Sequence, residues 1–435
     1  MSVLYEISGG APIHGEVQIL GAKNFATKAM VASLLTEDET TLLNVPNIGD
    51  IDITTDMIRG IGGKVNFKGD VLTISSQGVS SSIPLPDSGS NRIPILLMSA
   101  LLHRFDEVSA PFVSGCDIGG RPVDFHLEAM KMFGASVTIT DNGYHAAKHG
   151  RLQACHYKLP YPSVGATESC LMLGVLAEGT SLIQNIAIEP EIMALITMLN
   201  AMGAKIQIGI NRTVTIQGVL KLSGTVYEVL GDRIEAVSWA CLAAATNGEI
   251  ITHGINPEIL VNFFGYFNEV GGGVEIIDGK TIKFYRKRNL KPIAIETDVY
   301  PGFSTDWQQP FTVLLTQAEG ISVIHETVYE NRFGYADTLN KLGADIQLES
   351  YCLGSANCRF KGKDHKHSAI IRGKSNLCSI NEVISIPDLR AGLAYIMATC
   401  LSNGKSIVKN IELLERGYGS LKDRAPFLNI NLLED

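Results

Sequence analysis

No uninterrupted run of 18 or more apolar residues occurs in this sequence, so no membrane span is indicated. The opening stretch, MSVLYEISGGAPIHG, lacks a basic segment followed by an apolar one, so no signal peptide is expected and a cytoplasmic location is the simplest reading. Basic charge is in deficit: 36 Lys and Arg against 45 Asp and Glu leave a net charge of −9. That excludes a broad phosphate-backbone-binding surface, and no nucleic-acid partner is expected. A small anionic ligand stays open, because a few arginines can cluster locally on an acidic protein. No CxxC pair exists among the eight cysteines at 116, 155, 170, 241, 352, 358, 378 and 400. Zinc and thioredoxin chemistry are therefore not expected, no metal site is expected, and most of these cysteines read as small buried hydrophobes. What remains is a globular composition, 45% hydrophobic and 19% charged, on a chain of 435 residues. That is too long for one ordinary core, so two domains are expected.

The chain repeats itself. One phrase, a small-residue turn leading into a β-rich run, reads IGGKV at 61–65, FGASV at 133–137, MGAKI at 202–206, VGGGV at 270–274 and LGADI at 342–346. Its first glycines, 62, 134, 203, 271 and 343, are spaced by 72, 69, 68 and 72 residues. A second phrase keeps phase with it: TEDETTLLNV (36–45), AEGTSLIQNI (177–186), TNGEIITHGI (246–255), AEGISVIHET (318–327), SNGKSIVKNI (402–411) and, more weakly, HRFDEVSAPF (103–112). Chance Gly-Ala turns do not give two phrases in register, so six units are expected. Within a unit, EIMALITMLNAMG (191–203) has helical spacing, with Ile192, Leu195, Ile196 and Leu199 on one face. The glycine after it is expected at the left-handed position that ends a helix, and KIQIGI then reads as a strand. A second helix, SVGATESCLMLGVLAEG (163–179), is expected to end at its own glycine before the strand TSLIQNI. Six such units, three to a domain, give two similar α/β (α+β) lobes. The last copy reads as decaying into FLNINLLED.

Polar loops between the apolar elements hold the candidate chemistry. LGAKNFA (20–26), SGCDIGGRPVDFH (114–126), YPGFSTDWQQP (300–310), ENRFGY (330–335), PDLRAG (387–392) and ERGYGS (415–420) supply Lys23, Arg121, Arg332, Arg390 and Arg416, with Asp306 and Asp388. Guanidinium forks match phosphate and carboxylate oxygens; taken singly, each arginine reads first as an ordinary salt bridge, and only their joint placement on loops favours function. Cys116 lies in a Gly-rich loop five residues before Arg121, a setting that favours thiolate chemistry but also fits a plain exposed cysteine. SVGAT (163–167) opens a helix on small residues, which suits either phosphate binding or simple capping. GIGGKVNFKG (60–69) leads into a strand and so fails the dinucleotide-loop context. His145 and His149 lack the Glu of a zincin, and His365-Lys366-His367 reads as a solvated turn.

GAKN (21–24), GCDIGGRPVDFH (115–126), SVGAT (163–167), EPEI (189–192), DRIE (232–235), Thr305-Asp306, ENRF (330–333), DLRA (388–391) and ERGY (415–418) occur in the order and spacing of a known family. Over essentially its whole length the chain resembles the enolpyruvyl transferases, and among them the UDP-N-acetylglucosamine enolpyruvyl transferases (1-carboxyvinyltransferases). The resemblance implies two inside-out α/β barrel lobes of three repeats each, one lobe formed by 1–21 with 231–435 and the other by 22–230, with the active site in the cleft between them. It implies transfer of the enolpyruvyl group of phosphoenolpyruvate to the 3-hydroxyl of UDP-N-acetylglucosamine, an early step of peptidoglycan synthesis, with no cofactor and no obligate protein partner.

Carried over by residue, the resemblance implies that Lys23, Arg121 and Arg416 hold phosphoenolpyruvate, with Arg92, Arg332, Asp388 and Arg390 completing the anion-binding wall. Asn24, Arg92, Arg121, Pro122, Val123, Asp124, Phe125, Ser163, Val164, Gly165, Asp306 and Val328 would contact the UDP-sugar. Asp306 would be the base for the 3-hydroxyl. Cys116 would protonate or add to phosphoenolpyruvate and would be the residue that fosfomycin labels. The chain departs from the family at Tyr161, where a Lys is common, at Ile188, where an Arg is, and at Thr27-Lys28, where a Pro segment is usual. A relative using another uridine nucleotide, or a non-catalytic nucleotide-binding regulator, would share much of this pattern.

Overall fold

The structure, a computed structural model, describes residues 4–86, 88–89, 91–113, 123–355 and 358–434. The fold is mixed α/β, and its contacts separate two units: residues 1–20 with 231–435, and 21–230, apart from the loop around Cys116. Six small sheets are present among the described residues, three in each unit.

The repeat is visible in the strand pairing. In the first unit, the sheet around Glu249–His253 has His14–Gln18 parallel on one side and Thr281–Arg286, then Gly272–Asp278, antiparallel on the other. The sheet around Gly320–His325 repeats this with Ala294–Glu296, Ser368–Gly373 and Ile346–Glu349. In the second unit the same order recurs around Thr40–Leu43 and around Thr180–Gln184. The weakest copy, around Glu107–Pro111, keeps only a parallel bridge from Ser82 to Ser109 where the others have a parallel strand.

Both phrases have structural jobs. Gly62, Gly134, Gly203, Gly271 and Gly343 all have φ between 95° and 115°, where a side chain is strained and glycine is not. The second phrase is the central strand of each sheet, and its Asn44, Asn185 and Asn410 are left-handed, with φ of 57°, 58° and 63°. Each of these asparagines donates Nδ2 to the carbonyl just beyond the parallel strand: Val229 at 2.8 Å, Leu159 at 2.8 Å and Ile386 at 3.3 Å.

Two expectations need correcting. The helix from Ser163 stops at Gly174, and a short turn carries the chain to Gly179. The C-terminal segment does not decay: Asn431–Glu434 pairs antiparallel with Leu4–Gly9 and finishes a sheet built from both ends of the chain. A terminal repeat lacks a following unit, so its outer strand has to come from elsewhere.

Each unit buries three helices on nearly all sides. In the first they are Arg233–Ala245, Gln308–Leu315 and Leu389–Leu401, which pack on one another. In the second they are Lys23–Ala32, Ile93–Leu101 and Val164–Gly174, where the Ile93–Leu101 helix contacts both of the others. Sequences such as IPILLMSAL have no polar face because no face meets water. The outer helices, including Gly49–Gly60 and Pro190–Ala201, are amphipathic. Ile192, Leu195, Ile196 and Leu199 form the buried face of the latter, as their spacing predicts.

Candidate active site

The inner helices place the candidate residues. Lys23 opens the first, Arg92 precedes Ile93, and Ser163 caps the helix that starts at Val164 and Gly165. In the other unit, Asp232 caps Arg233–Ala245, Asp306 lies in the turn leading into Gln308–Leu315, and Asp388 caps the helix carrying Arg390. Helix N-termini present unpaired N–H groups and a partial positive charge, which favours anions there.

In the first unit the buried ion pairs centre on Asp306. Its Oδ1 pairs with the Arg332 guanidinium, and its Oδ2 lies 3.3 Å from Nη2 of Arg390. Both arginines are buried, at 3% and 7% exposure. Burial alone would lower the pKa of Arg390, but Tyr418, Asp306 and Asp232 outweigh it and the net shift is upward. Arg332 behaves the same way, with Asp306 and Glu326 overcoming burial. The Arg390 side chain also donates from Nη1 to the Tyr418 hydroxyl at 2.7 Å. Asp388 acts on Arg390 through the backbone: its Oδ1 accepts from the N–H groups of Arg390 at 2.8 Å and Ala391 at 3.1 Å. Arg416 is half-buried in the last turn of Ile411–Tyr418.

Glu326, which sequence reasoning did not single out, supports the same region. Its Oε2 accepts from Thr305 Oγ1 at 2.9 Å and Gln308 Nε2 at 3.3 Å, and its Oε1 accepts from the N–H groups of Val328 at 2.8 Å and Tyr329 at 3.1 Å. Burial raises its pKa, opposed by Arg332 and these donors. Glu326 thus ties the turn bearing Asp306 to the segment bearing Val328 and Arg332.

In the second unit, Lys23 Nζ lies 2.6 Å from Asp50 Oδ2, and Asn24 is half-buried beside it. Ser163 Oγ accepts from the Ala166 N–H at 3.3 Å, so it is a true cap. A Cβ on Gly165 would lie 2.8 Å from Cε1 of His126. Only glycine admits that ring, which sits in the helix Asp124–Met132 and meets Ser169 Oγ through Nδ1 at 2.9 Å. Val123, Asp124 and Phe125, at the start of that helix, are thereby held near Val164 and Gly165. His126 was not anticipated, although it follows Phe125 directly. Tyr161 and Ile188 are half-buried. Lys28 acts instead on Glu168, lowering a pKa that burial raises to about 7. Cys116, Arg121 and Pro122 lie outside the described residues.

Cys170, Cys241 and Cys400 are buried in helices as expected, and burial raises all three thiols. One other expectation fails. His367 is fully buried, not part of a solvated turn. It gathers with His325, Cys352 and Cys358 into a group of metal-ligating type.

Residues 7–424 match the family described as EPSP synthase (3-phosphoshikimate 1-carboxyvinyltransferase). The UDP-N-acetylglucosamine 1-carboxyvinyltransferase of Protochlamydia amoebophila is 44% identical over 447 aligned positions, covering 100% of this chain and 95% of that protein. The enzyme of the same name from Chlamydia pneumoniae is 42% identical, covering 95% of this chain and 91% of its own. Among solved structures, the enolpyruvyl transferase NikO from Streptomyces tendae superposes with a TM-score of 0.86 at 21% identity, covering 100% of this chain and 99% of that one. EPSP synthase from Acinetobacter baumannii gives 0.78 at 18% identity, with both chains fully covered. The fold with three sheets and three buried helices per unit is therefore that of the enolpyruvyl transferases, and the chain belongs to the EPSP synthase (3-phosphoshikimate 1-carboxyvinyltransferase) family.

Proposed function

We propose that this protein transfers the enolpyruvyl group of phosphoenolpyruvate to the 3-hydroxyl of UDP-N-acetylglucosamine and releases phosphate. The observation that carries the reading is the similarity, 44% over the full chain, to a protein named for that activity. The placement of Lys23, Arg92 and Ser163 at inner-helix starts supports it, since both substrates are anionic.

The reaction forms a C–O bond between the sugar hydroxyl and C2 of the enol while a proton adds to its methylene carbon. Loss of a proton from the resulting methyl group and expulsion of phosphate then restore the double bond. This needs a base at the hydroxyl, an acid at the methylene and fixed positive charge. We assign the base to Asp306 and the acid to Cys116. Lys23, Arg121 and Arg416 are assigned to phosphoenolpyruvate, with Arg92, Arg332 and Arg390 as further cations. Asn24, residues 121–125, Ser163, Val164, Gly165 and Val328 are assigned to the UDP-sugar. Before substrate binds, Asp306 neutralises part of the charge on Arg332 and Arg390. An incoming anion competes for those guanidiniums and frees the carboxylate to take the hydroxyl proton. Such a reaction belongs to peptidoglycan precursor synthesis in the cytoplasm and calls for no cofactor.

Phosphate release tests the reading. Phosphoenolpyruvate with UDP-N-acetylglucosamine should release phosphate continuously, and phosphoenolpyruvate with UMP should not. Release only with another uridine nucleotide would move the acceptor, and release with none would reject the transferase.

A further inference from the structure

The strand Gly320–His325 ends opposite the start of Ser368–Gly373, with His325 facing Ser368 and the Glu326 N–H donating to the His367 carbonyl at 2.7 Å. Two histidines thus reach adjacent strand ends, with ring centroids 5.4 Å apart. The connection 350–367 has no helix or strand among its described residues, and so long an excursion needs something to hold it. It brings Cys352 and Cys358 to the same place. The ligand atoms of His325, Cys352, Cys358 and His367 all lie within 4.8 Å of one another, and Cys352 Sγ is 3.4 Å from His367 Nε2.

Further observations point to a cation. Nε2 of His325 is buried and has no hydrogen-bond partner among the described residues, a costly state for a polar atom unless something binds it. Its Nδ1 meets Glu296 Oε2 at 3.0 Å. The other oxygen of Glu296 accepts from the Ser355 N–H at 2.9 Å and the Ser355 hydroxyl at 3.0 Å. This carboxylate–histidine arrangement orients the ring with Nε2 forward. His367 is oriented similarly, with Nδ1 2.6 Å from the His365 carbonyl, leaving Nε2 for the cluster. The Phe360 N–H points at Cys358 Sγ at 3.4 Å, a backbone contact that suits a thiolate. Gly354 allows the loop to close over the pair, since a Cβ there would lie 2.2 Å from Glu296 Oε2 and 2.4 Å from His325 Nδ1.

We propose that His325, Cys352, Cys358 and His367 bind one zinc ion as a closed Cys2His2 tetrahedron. Zinc–sulfur bonds of about 2.3 Å and zinc–nitrogen bonds of about 2.0 Å put tetrahedral ligand atoms roughly 3.3–3.8 Å apart. The cluster therefore needs only a small contraction. Binding displaces one proton from each thiol, so two thiolates, two neutral imidazoles and Zn2+ sum to no net charge, which a buried site requires. With four protein ligands no position is left for substrate, so the ion is structural. It fastens the 350–367 connection against the segment carrying Val328 and Arg332, where Arg359 already donates to the Val328 carbonyl.

The test is the metal content of the full-length chain, purified without a chelator or a histidine tag. About one zinc per chain is expected. The Cys352→Ser/Cys358→Ser double variant should lose at least tenfold, while Cys378→Ser, at an exposed cysteine outside the cluster, keeps it. In case the double variant does not fold, Co2+ is added to metal-stripped, reduced wild-type protein. Tetrahedral visible bands with sulfur-to-cobalt charge transfer, bleached by one equivalent of Zn2+, are expected. Zinc content unchanged by the double substitution, no cobalt bands in the wild type, or a Cys352–Cys358 disulfide in the freshly isolated protein would each overturn the proposal.

Discussion

Replacing Glu168 by Gln should flatten a pH dependence built into the second unit. Glu168 is 2% exposed on the inner helix Val164–Gly174. Burial raises its pKa from 4.5 to about 7, with Glu191 and Glu189 adding to the rise and Lys28 opposing it. Below pH 4.5 the folded and unfolded chains both hold the proton, and the group costs nothing. Between 4.5 and 7 the unfolded chain gives up its proton while the folded one keeps it, so stability falls as pH rises and levels off above about 7. A shift of about 2.5 units corresponds to roughly 3 kcal/mol, or about 300-fold in the unfolding equilibrium. Gln does not titrate, so the variant should lack this slope. The gain at high pH will be smaller than the full figure, because Lys28 loses a carboxylate. Both tryptophans, Trp239 and Trp307, belong to the other unit, so indole fluorescence is the wrong probe. Amide hydrogen exchange of the 164–174 peptide reads the right place. Protection of Glu168→Gln relative to wild type should rise by one to two orders of magnitude between pH 5 and pH 8. An unchanged ratio would refute the reasoning.

Asp306→Asn should lower kcat by about 10²–10⁴-fold while changing UDP-sugar affinity by less than about tenfold, as expected of a base that acts in the transition state; isothermal titration and steady-state kinetics separate the two. Gly165→Ala should push His126 aside, because the new Cβ would sit 2.8 Å from its ring. We expect weaker UDP-sugar binding by about tenfold and a loss of about 1–3 kcal/mol in stability, the usual cost of overpacking, measured by titration and urea unfolding. Cys116→Ser should abolish covalent labelling by fosfomycin in intact-mass spectra; persistent labelling would place the target at another cysteine.

The repeat was legible because each unit solves the same local problem. A helix must stop, so a glycine recurs at positive φ; a strand must end beside its parallel neighbour, so an asparagine recurs there. The helix start at Ser163 could be read as well, whereas Lys23, Arg390 and Arg416 read as loop residues and lie in helices. What could not be read depends on register between distant segments. His325 and His367 meet because two antiparallel strands end level, and no CxxC spacing announces that. Glu326 and Glu168 looked like ordinary members of strand and helix phrases; only packing shows that their carboxyls are buried. The C-terminal strand seemed a remnant because its partner is the first strand of the chain.

The most direct test of the central claim is the product formed in D2O from phosphoenolpyruvate and UDP-N-acetylglucosamine. Addition of the hydroxyl followed by loss of phosphate passes through a methyl group. The nucleotide sugar should therefore carry an enolpyruvyl ether on its 3-oxygen with deuterium in the vinyl methylene, seen by proton NMR and mass spectrometry. An unmodified nucleotide sugar, attachment at another oxygen, or a vinyl group without deuterium would contradict the account.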